Sequence, residues 1–337
     1  MKFSLFSLLV ASLSGVSFTV VAADGKTPAV SITEQADRLR IELGGELFTN
    51  YIFKGEERFF PVFYPVMGPG EVPMTRRFPL EKSEGEDTDH PHHQSLWFAH
   101  SDVNGESFWA VQTYKDRVPG RTVHQRFKEV VSGDEGGHFV AESTYVAADQ
   151  RVVMTDTRTV RFYPVADAMA PRILDITIAF HASNGPVTFG DQKDAGMAIR
   201  VSPDLQVVRR TKEKGNETIP ANGHLINSEG DRDVDTWGKQ ARWVDAYGKV
   251  GDQPVGVAIF DHPSNPRHPT WWHSRTYGLV TANAFGKHHF EKLDDPKAGE
   301  MVIPDGKTTT FRWRFVFHRD DPETAKVEAQ FEAFARD

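Results

Sequence analysis

The chain has 337 residues, with 39 Lys and Arg against 47 Asp and Glu and a formal net charge of −8. It lacks cysteine altogether, which excludes disulfides, thiolate metal sites, iron–sulfur clusters and cysteine nucleophiles. The acidic balance, with no dense Lys/Arg stripe, argues against a nucleic-acid partner, and a chain this long buries enough surface to fold without covalent staples.

In chain order, Lys2, the apolar run over residues 3–21 and the small residues Val21-Ala22-Ala23 read as an export signal cleaved before Asp24. The run is diluted by serines and has no basic stop signal after it, which separates it from a membrane anchor. The expectation is a periplasmic or secreted protein with no membrane partner once the signal is removed, and a single domain over residues 24–337.

Period-two alternation then dominates. Leu39, Ile41 and Leu43 alternate with Arg38, Arg40 and Glu42. Leu174, Ile176, Ile178 and Phe180 do the same, as do Phe311, Trp313, Phe315 and Phe317, so each run puts an apolar row toward a core. Further strand-like runs cover 137–147, 151–165 and 255–260, separated by turn residues. Near the end, Asp321 as cap, Pro322 in the first turn, and Val327, Phe331 and Phe334 on one face predict a helix. No βαβ rhythm appears. The prediction is an all-β fold, a large antiparallel β-sandwich with a C-terminal helix.

Two stretches, 64–109 and 262–286, break this rhythm and are dense in polar and aromatic residues, as binding segments on a rigid scaffold are. The first holds Asp87, Asp89, His90, His92 and His93, followed by Trp97, His100, Asp102 and Asn104. In extended backbone His90 and His92 project to one side and His93 to the other. Imidazoles titrate near neutral pH, so Asp89, His90, His92 and His93 are candidate proton-transfer groups. The competing readings are a divalent metal on His90, His92 and His100, or loop-holding hydrogen bonds alone. Pro91 forbids a regular helix here, and the spacing fits no metalloprotease motif. Upstream, Tyr64 and Arg76 are candidate substrate contacts; an arginine at 76 or 77 suits a carboxylate clamp, or a surface ion pair with Glu81 or Glu84.

Asp191, Lys193 and Asp194 follow at a strand edge, with Lys193 a candidate catalytic cation and Asp191 a candidate substrate contact, or both merely structural. In the second stretch, Asn265, Arg267 and His268 stand beside Trp271 and Trp272. Rings beside fixed polar donors suit a sugar, and Trp97 and Trp272 are the expected stacking platforms. Asn104 completes the candidate substrate contacts. No serine elbow, phosphate loop or dinucleotide fingerprint occurs.

The blocks Tyr64-Pro65 with Gly68-Pro69-Gly70, Asp89-His90-Pro91-His92-His93-Gln94-Ser95-Leu96-Trp97-Phe98, Asp102-Val103-Asn104-Gly105 and Gly190-Asp191-Gln192-Lys193 resemble the PmoA-like family of secreted bacterial proteins. Trp237-Gly238-Lys239, Trp243-Val244-Asp245 and the block 260–273 carry the same likeness, which extends from about residue 46 to 318. The resemblance implies the supersandwich of galactose mutarotase-like proteins, a fold used by sugar epimerases, lyases and hydrolases. It does not imply methane oxidation, because a membrane oxygenase subunit needs long apolar helices that this chain lacks. Position 194 is Asp where the resemblance leads one to expect Glu. The expectation is therefore an exported carbohydrate-active enzyme using acid–base chemistry (a hydrolase, lyase or epimerase) without a cofactor. The alternatives are a histidine-rich metal-binding protein and a non-catalytic glycan-binding module.

Overall fold

The computed structural model describes residues 27–82, 86–211 and 217–337; the expected export signal and Glu84 lie outside the described residues. Two eight-stranded antiparallel sheets face each other. The first runs, edge to edge, through Val30–Glu34, Arg38–Leu43, Glu46–Ile52, Val62–Val66, Leu96–His100, Ala195–Arg200, Leu279–Asn283 and Trp271–Trp272. The second runs through His224–Asn227, Trp243–Val250, Gln253–Asp261, Thr308–Arg319, Arg172–His181, Val152–Phe162, Gly137–Val146 and Arg121–Val131.

The alternating runs behave as their period demands. Leu39, Ile41, Leu43, Leu174, Ile178, Phe311, Phe315 and Phe317 all lie in one apolar core between the sheets, where each large side chain contributes about 1.5–3 kcal/mol of burial. Arg172 ties the sheets together polarly: its guanidinium donates to Leu47 O and Met67 O and pairs with Glu46 at 3.0 Å. Arg158 and Asp156 form a second buried pair at 2.8 Å, joined by the Tyr145 hydroxyl.

The departures from expectation share a cause. Leu96–His100, Ala195–Arg200 and Leu279–Asn283 are buried at every position. A strand covered on both faces needs no polar row, so period-two alternation vanishes and the sequence there looks irregular. What covers the outward face of these three strands is the long segment carrying the histidines.

The C-terminal helix is Val327–Phe334, shorter than Asp321 as its cap implies. Residues 322–326 form turns, with Asp321 accepting from the Thr324 amide at 2.8 Å and Lys326 left-handed at φ 55°. Its apolar stripe is as expected: Val327, Phe331 and Phe334 cover Trp243, Phe260 and Val316 on the outward face of the second sheet.

Candidate active site

On the outward face of the first sheet, Trp97, Ala99, Ala198 and Leu279 form a small apolar cluster with Phe60, Val62 and Trp109. Trp97 stands opposite Ala198 and Ala99 opposite Gly196, so the middle of this face is built from small side chains. The segments 76–82 and 86–95 lie over it.

Arg76, wholly buried, organises them. Its guanidinium donates to Phe78 O (3.1 Å), Asp87 O (3.4 Å), Asp89 Oδ1 (2.8 Å), His90 O (3.0 Å) and His93 O (3.3 Å). A planar five-donor fork is the side chain that can satisfy so many acceptors around one curve of backbone. Arg200, also wholly buried, sits 3.5 Å from Asp89 Oδ1, 3.4 Å from His93 Nδ1 and 4.7 Å from the centre of the Tyr277 ring.

The rings form a stack. His90 lies parallel to His93 at 4.7 Å and to Tyr277 at 5.3 Å. His92 meets His93 edge-on at 4.6 Å, and Trp109 closes the side at 6.1 Å from His92. Asp89 Oδ2 lies 2.7 Å from His90 Nδ1. Burial works against the Asp89 carboxylate, yet the hydrogen bond from His90 and the charges of Arg200, His90 and Arg76 hold it well below the usual carboxylate range. Burial, aided by the charge of His90, pushes His92 down to about 4. His93 is driven well below its ordinary value by burial and by Arg200. Both imidazoles are therefore neutral at pH 7, and His93 Nδ1 accepts from Arg200, which places its proton on Nε2.

The Lys193–Asp194 corner comes to the same place. Asp194 lies close enough for its charge to act on His92, His273 and Tyr277. Lys193 Nζ is 3.7 Å from Asp194 Oδ1, and both side chains are more than two-fifths exposed. His273 donates from Nδ1 to Lys193 O at 2.7 Å, and burial brings it down to about 4. The Arg275 guanidinium lies over the Tyr277 ring at 5.4 Å. The polar groups at this surface are thus His90 beside Asp89, the neutral His92, and the more exposed Asp194 and Lys193, next to Tyr277 and Trp109.

Several expected members lie elsewhere or are already engaged. Trp97 and Trp272 are 1% and 0% exposed and offer no face to a sugar; Trp272 instead donates to Ala241 O at 2.9 Å from within the core between the sheets. His93 is 2% exposed and acts as a packing ring. Arg76 has its donors directed at backbone and Asp89 and leaves no fork for substrate. Asn265 bonds Asp261 and both the carbonyl and amide of Arg312. Arg267 donates to Ala284 O, Gly299 O and Glu300 O. His268 pairs with Asp261 at 2.8 Å and lies parallel to Phe331 of the C-terminal helix, on the side of the second sheet away from His92. The block 261–268 therefore does not join the histidine site. Asp191 accepts from the amides of His288 and Gly299 and so anchors the short helix Lys287–Glu291. Asn104, at φ 51°, closes a turn through Pro186 O and the Thr188 amide. The Tyr64 hydroxyl donates to Glu81 at 2.6 Å.

His100 cannot join His90 and His92 around a metal. It shares the inward parity of Leu96 and Phe98, packs between Phe189 and Phe285, and accepts from the Asp102 amide. Among the described residues no group of three or more His, Asp or Glu is arranged to hold a metal ion. The residues that sequence reasoning did not weigh as contacts are Tyr277, Trp109 and Arg200. Tyr277 sits in a Thr-Tyr-Gly turn with no chemical signature around it; Arg200 was legible only as the outward position two beyond Ala198.

A family described as "Family of unknown function (DUF6807)" matches residues 38–332. No curated protein matches the chain. Among solved structures, a galactose mutarotase related enzyme from Lactobacillus acidophilus is 9% identical, with 87% of this chain and 98% of that one covered and a TM-score of 0.32. The Slr1438 protein of Synechocystis sp. PCC 6803 is 7% identical, with 90% and 100% covered and a TM-score of 0.34. A polysaccharide lyase is 11% identical, with 89% of this chain but 34% of that one covered and a TM-score of 0.31.

Proposed function

Because the chain belongs to DUF6807, a family of unknown function, its activity has to be read from the site, and we propose that it is an exported carbohydrate-active enzyme that moves protons at a bound, glycan-derived sugar. The observation that carries this reading is one surface on which a neutral imidazole, His92, stands 5.6 Å from a second imidazole, His90, whose Nδ1 lies 2.7 Å from the Asp89 carboxylate. A neutral imidazole can accept a proton and a carboxylate can orient the imidazole beside it, the two kinds of partner that general acid–base catalysis uses. Trp109 is 4% exposed and the Tyr277 ring already packs against His90, Arg200 and Arg275, so a sugar at this surface is held by polar partners rather than by ring stacking. Lys193, Asp194 and Arg275 supply the hydroxyl and acid partners at the rim.

His92 at about 4 is a weak base for a reaction at neutral pH. An anionic sugar bound beside it raises its proton affinity, so the reading favours substrates that carry a carboxylate, with proton abstraction next to that group (elimination or epimerisation) ahead of hydrolysis. It needs no metal or cofactor. The motif likeness to PmoA-like proteins supports a shared scaffold and export, not methane chemistry.

The test is a turnover screen of the purified mature protein on mono- and oligosaccharides, including oxidised and uronic forms. For whichever substrate turns over, His92→Ala and His90→Ala are each expected to lower kcat/KM by about 10²–10⁴-fold, with the melting temperature little changed for half-exposed His90. Absence of turnover on every sugar, or full activity in His92→Ala, overturns the proposal. Sugar binding that survives both substitutions without turnover points to a non-catalytic glycan-binding module.

A further inference from the structure

A second groove lies at the rim where the turn and strand ends of the first sheet meet Arg121–Val131, the edge strand of the second. It holds about 670 Å³, within the range of small-molecule sites. Its floor is aromatic: Phe53, His124 and Phe127 pack mutually at 4.5, 4.3 and 5.0 Å between ring centres. Burial brings His124 down to about 4, so this ring is neutral. The pairing of the edge strand slips at His124/Arg126 and again at Phe127/Glu129. Such bulges re-aim side chains, and they gather next to binding sites.

The walls are cationic. Lys54, Arg58, Arg121 and Arg126 line the groove against one carboxylate, Glu34. Arg126 is neutralised by Glu142 at 2.7 Å. Among the described residues no carboxylate lies within ion-pair distance of Lys54, Arg58 or Arg121. Arg58 is held by Gln94, a neutral acceptor, and its Nε is buried with no partner; Arg121 lies over the Phe59 ring at 4.4 Å. Holding an arginine half-buried without a counter-charge is costly unless an anion arrives to meet it. Arg58 and Arg121 also line an adjoining groove of about 630 Å³, bounded by Glu56, Glu57, Pro91 and Gln94, which leads to the loop bearing His92.

We propose that this aromatic-floored, cation-walled groove binds an acidic saccharide, its acid groups on Arg58, Arg121 and Lys54 and its ring faces on Phe53, His124 and Phe127, with the chain running on toward the His90–His92 surface. The word saccharide rests on the proposed function; the preference for an anion rests on the groove alone. Carboxylate and sulfate esters offer the same oxygen geometry to a guanidinium, and both belong to the ligand class.

Calorimetric titration with a uronate oligosaccharide, a sulfated oligosaccharide, a neutral one of equal length and single-stranded DNA of equal charge tests this. The wild-type protein is expected to bind one or both acidic sugars, more weakly as salt is added, and the neutral sugar at least tenfold less tightly. Arg58→Gln with Arg121→Gln is expected to lose tenfold or more in affinity at an unchanged melting temperature. Should that double variant not fold, exposed Lys54→Gln replaces it, with a loss of about threefold. His92→Ala is expected to lose turnover yet keep the salt-dependent preference for the acidic over the neutral sugar, so that failure of the catalytic reading and failure of this one are separable. Undiminished binding in the groove variants, no binding of either acidic sugar, or DNA binding as tight as both sugars overturns the proposal.

Discussion

Between pH 7 and pH 5 the folded protein is expected to lose stability steeply, because its buried histidines are held neutral. Burial pushes His100 down to about 3 and His273 to about 4, and carries His93 well below the ordinary 6.5. In each case the folded pKa lies below the unfolded one, so the unfolded chain binds the extra proton. Stability from these groups is therefore complete above about 6.5 and is lost as pH falls toward their folded values. Each proton taken up on unfolding costs about 1.4 kcal/mol per pH unit, so three such imidazoles give a slope of about 4 kcal/mol per unit near pH 5. Against a typical total of about 5–15 kcal/mol, that is enough to unfold the protein within one or two units. His318 does not offset it. Burial opposes its charge, but Asp245 at 3.0 Å prevails and raises it, so its contribution is intact below 6.5 and is lost only as pH rises further. Urea midpoints at pH 7, 6 and 5 measure the slope, and His100→Gln, which keeps an acceptor for the Asp102 amide, is expected to reduce it by about one proton. A midpoint that does not move between pH 7 and 5 would show that these rings are not titrating in the unfolded chain alone.

Replacing Arg76 with methionine is expected to cost about 3–5 kcal/mol, the usual penalty for removing one partner of a buried charge pair. The loss exceeds a single ion pair because the carbonyls of Phe78, Asp87, His90 and His93 lose their donor together with Asp89. Arg200, 3.5 Å from Asp89, is left as the remaining buried cation against that carboxylate. The damage should be local first: proteolytic cuts and hydrogen exchange appear between residues 77 and 93 while strands of the second sheet stay protected. Arg76→Lys is expected to recover less than half, since an ammonium on a flexible stem cannot span acceptors on both sides of a curve. A lysine variant as stable as wild type would mean that the charge matters and the fork does not.

How much of this was legible in the sequence differs from strand to strand. Arg38–Leu43 and Arg172–His181 announce themselves, because one face meets the core and the other meets a less apolar layer. Leu96–His100 gives no such signal; Trp97 and Ala99 are as buried as Leu96 and Phe98, under the histidine loop. The same burial explains the two misplaced platforms. Tryptophan is placed at a sugar site for its amphipathic ring, yet its area also makes it a strong core residue, and local sequence does not say which use prevails.

The histidine block was visible from composition, and its link to Lys193 and Asp194 follows from adjacent strands, since Ala195 pairs with His100. The block 261–268 was misleading because polar, proline-bound segments look alike whether their donors face solvent or, as with Arg267, backbone carbonyls. Periodicity and side-chain chemistry are local properties, so an antiparallel β-sandwich, a C-terminal apolar stripe and the residues able to carry protons could be read along the chain. Which of those residues share a surface, that His100 turns inward while His92 turns outward, and that Tyr277 stands against His90 emerge in the folded protein alone, because such neighbours are set by pairing between strands far apart in the chain.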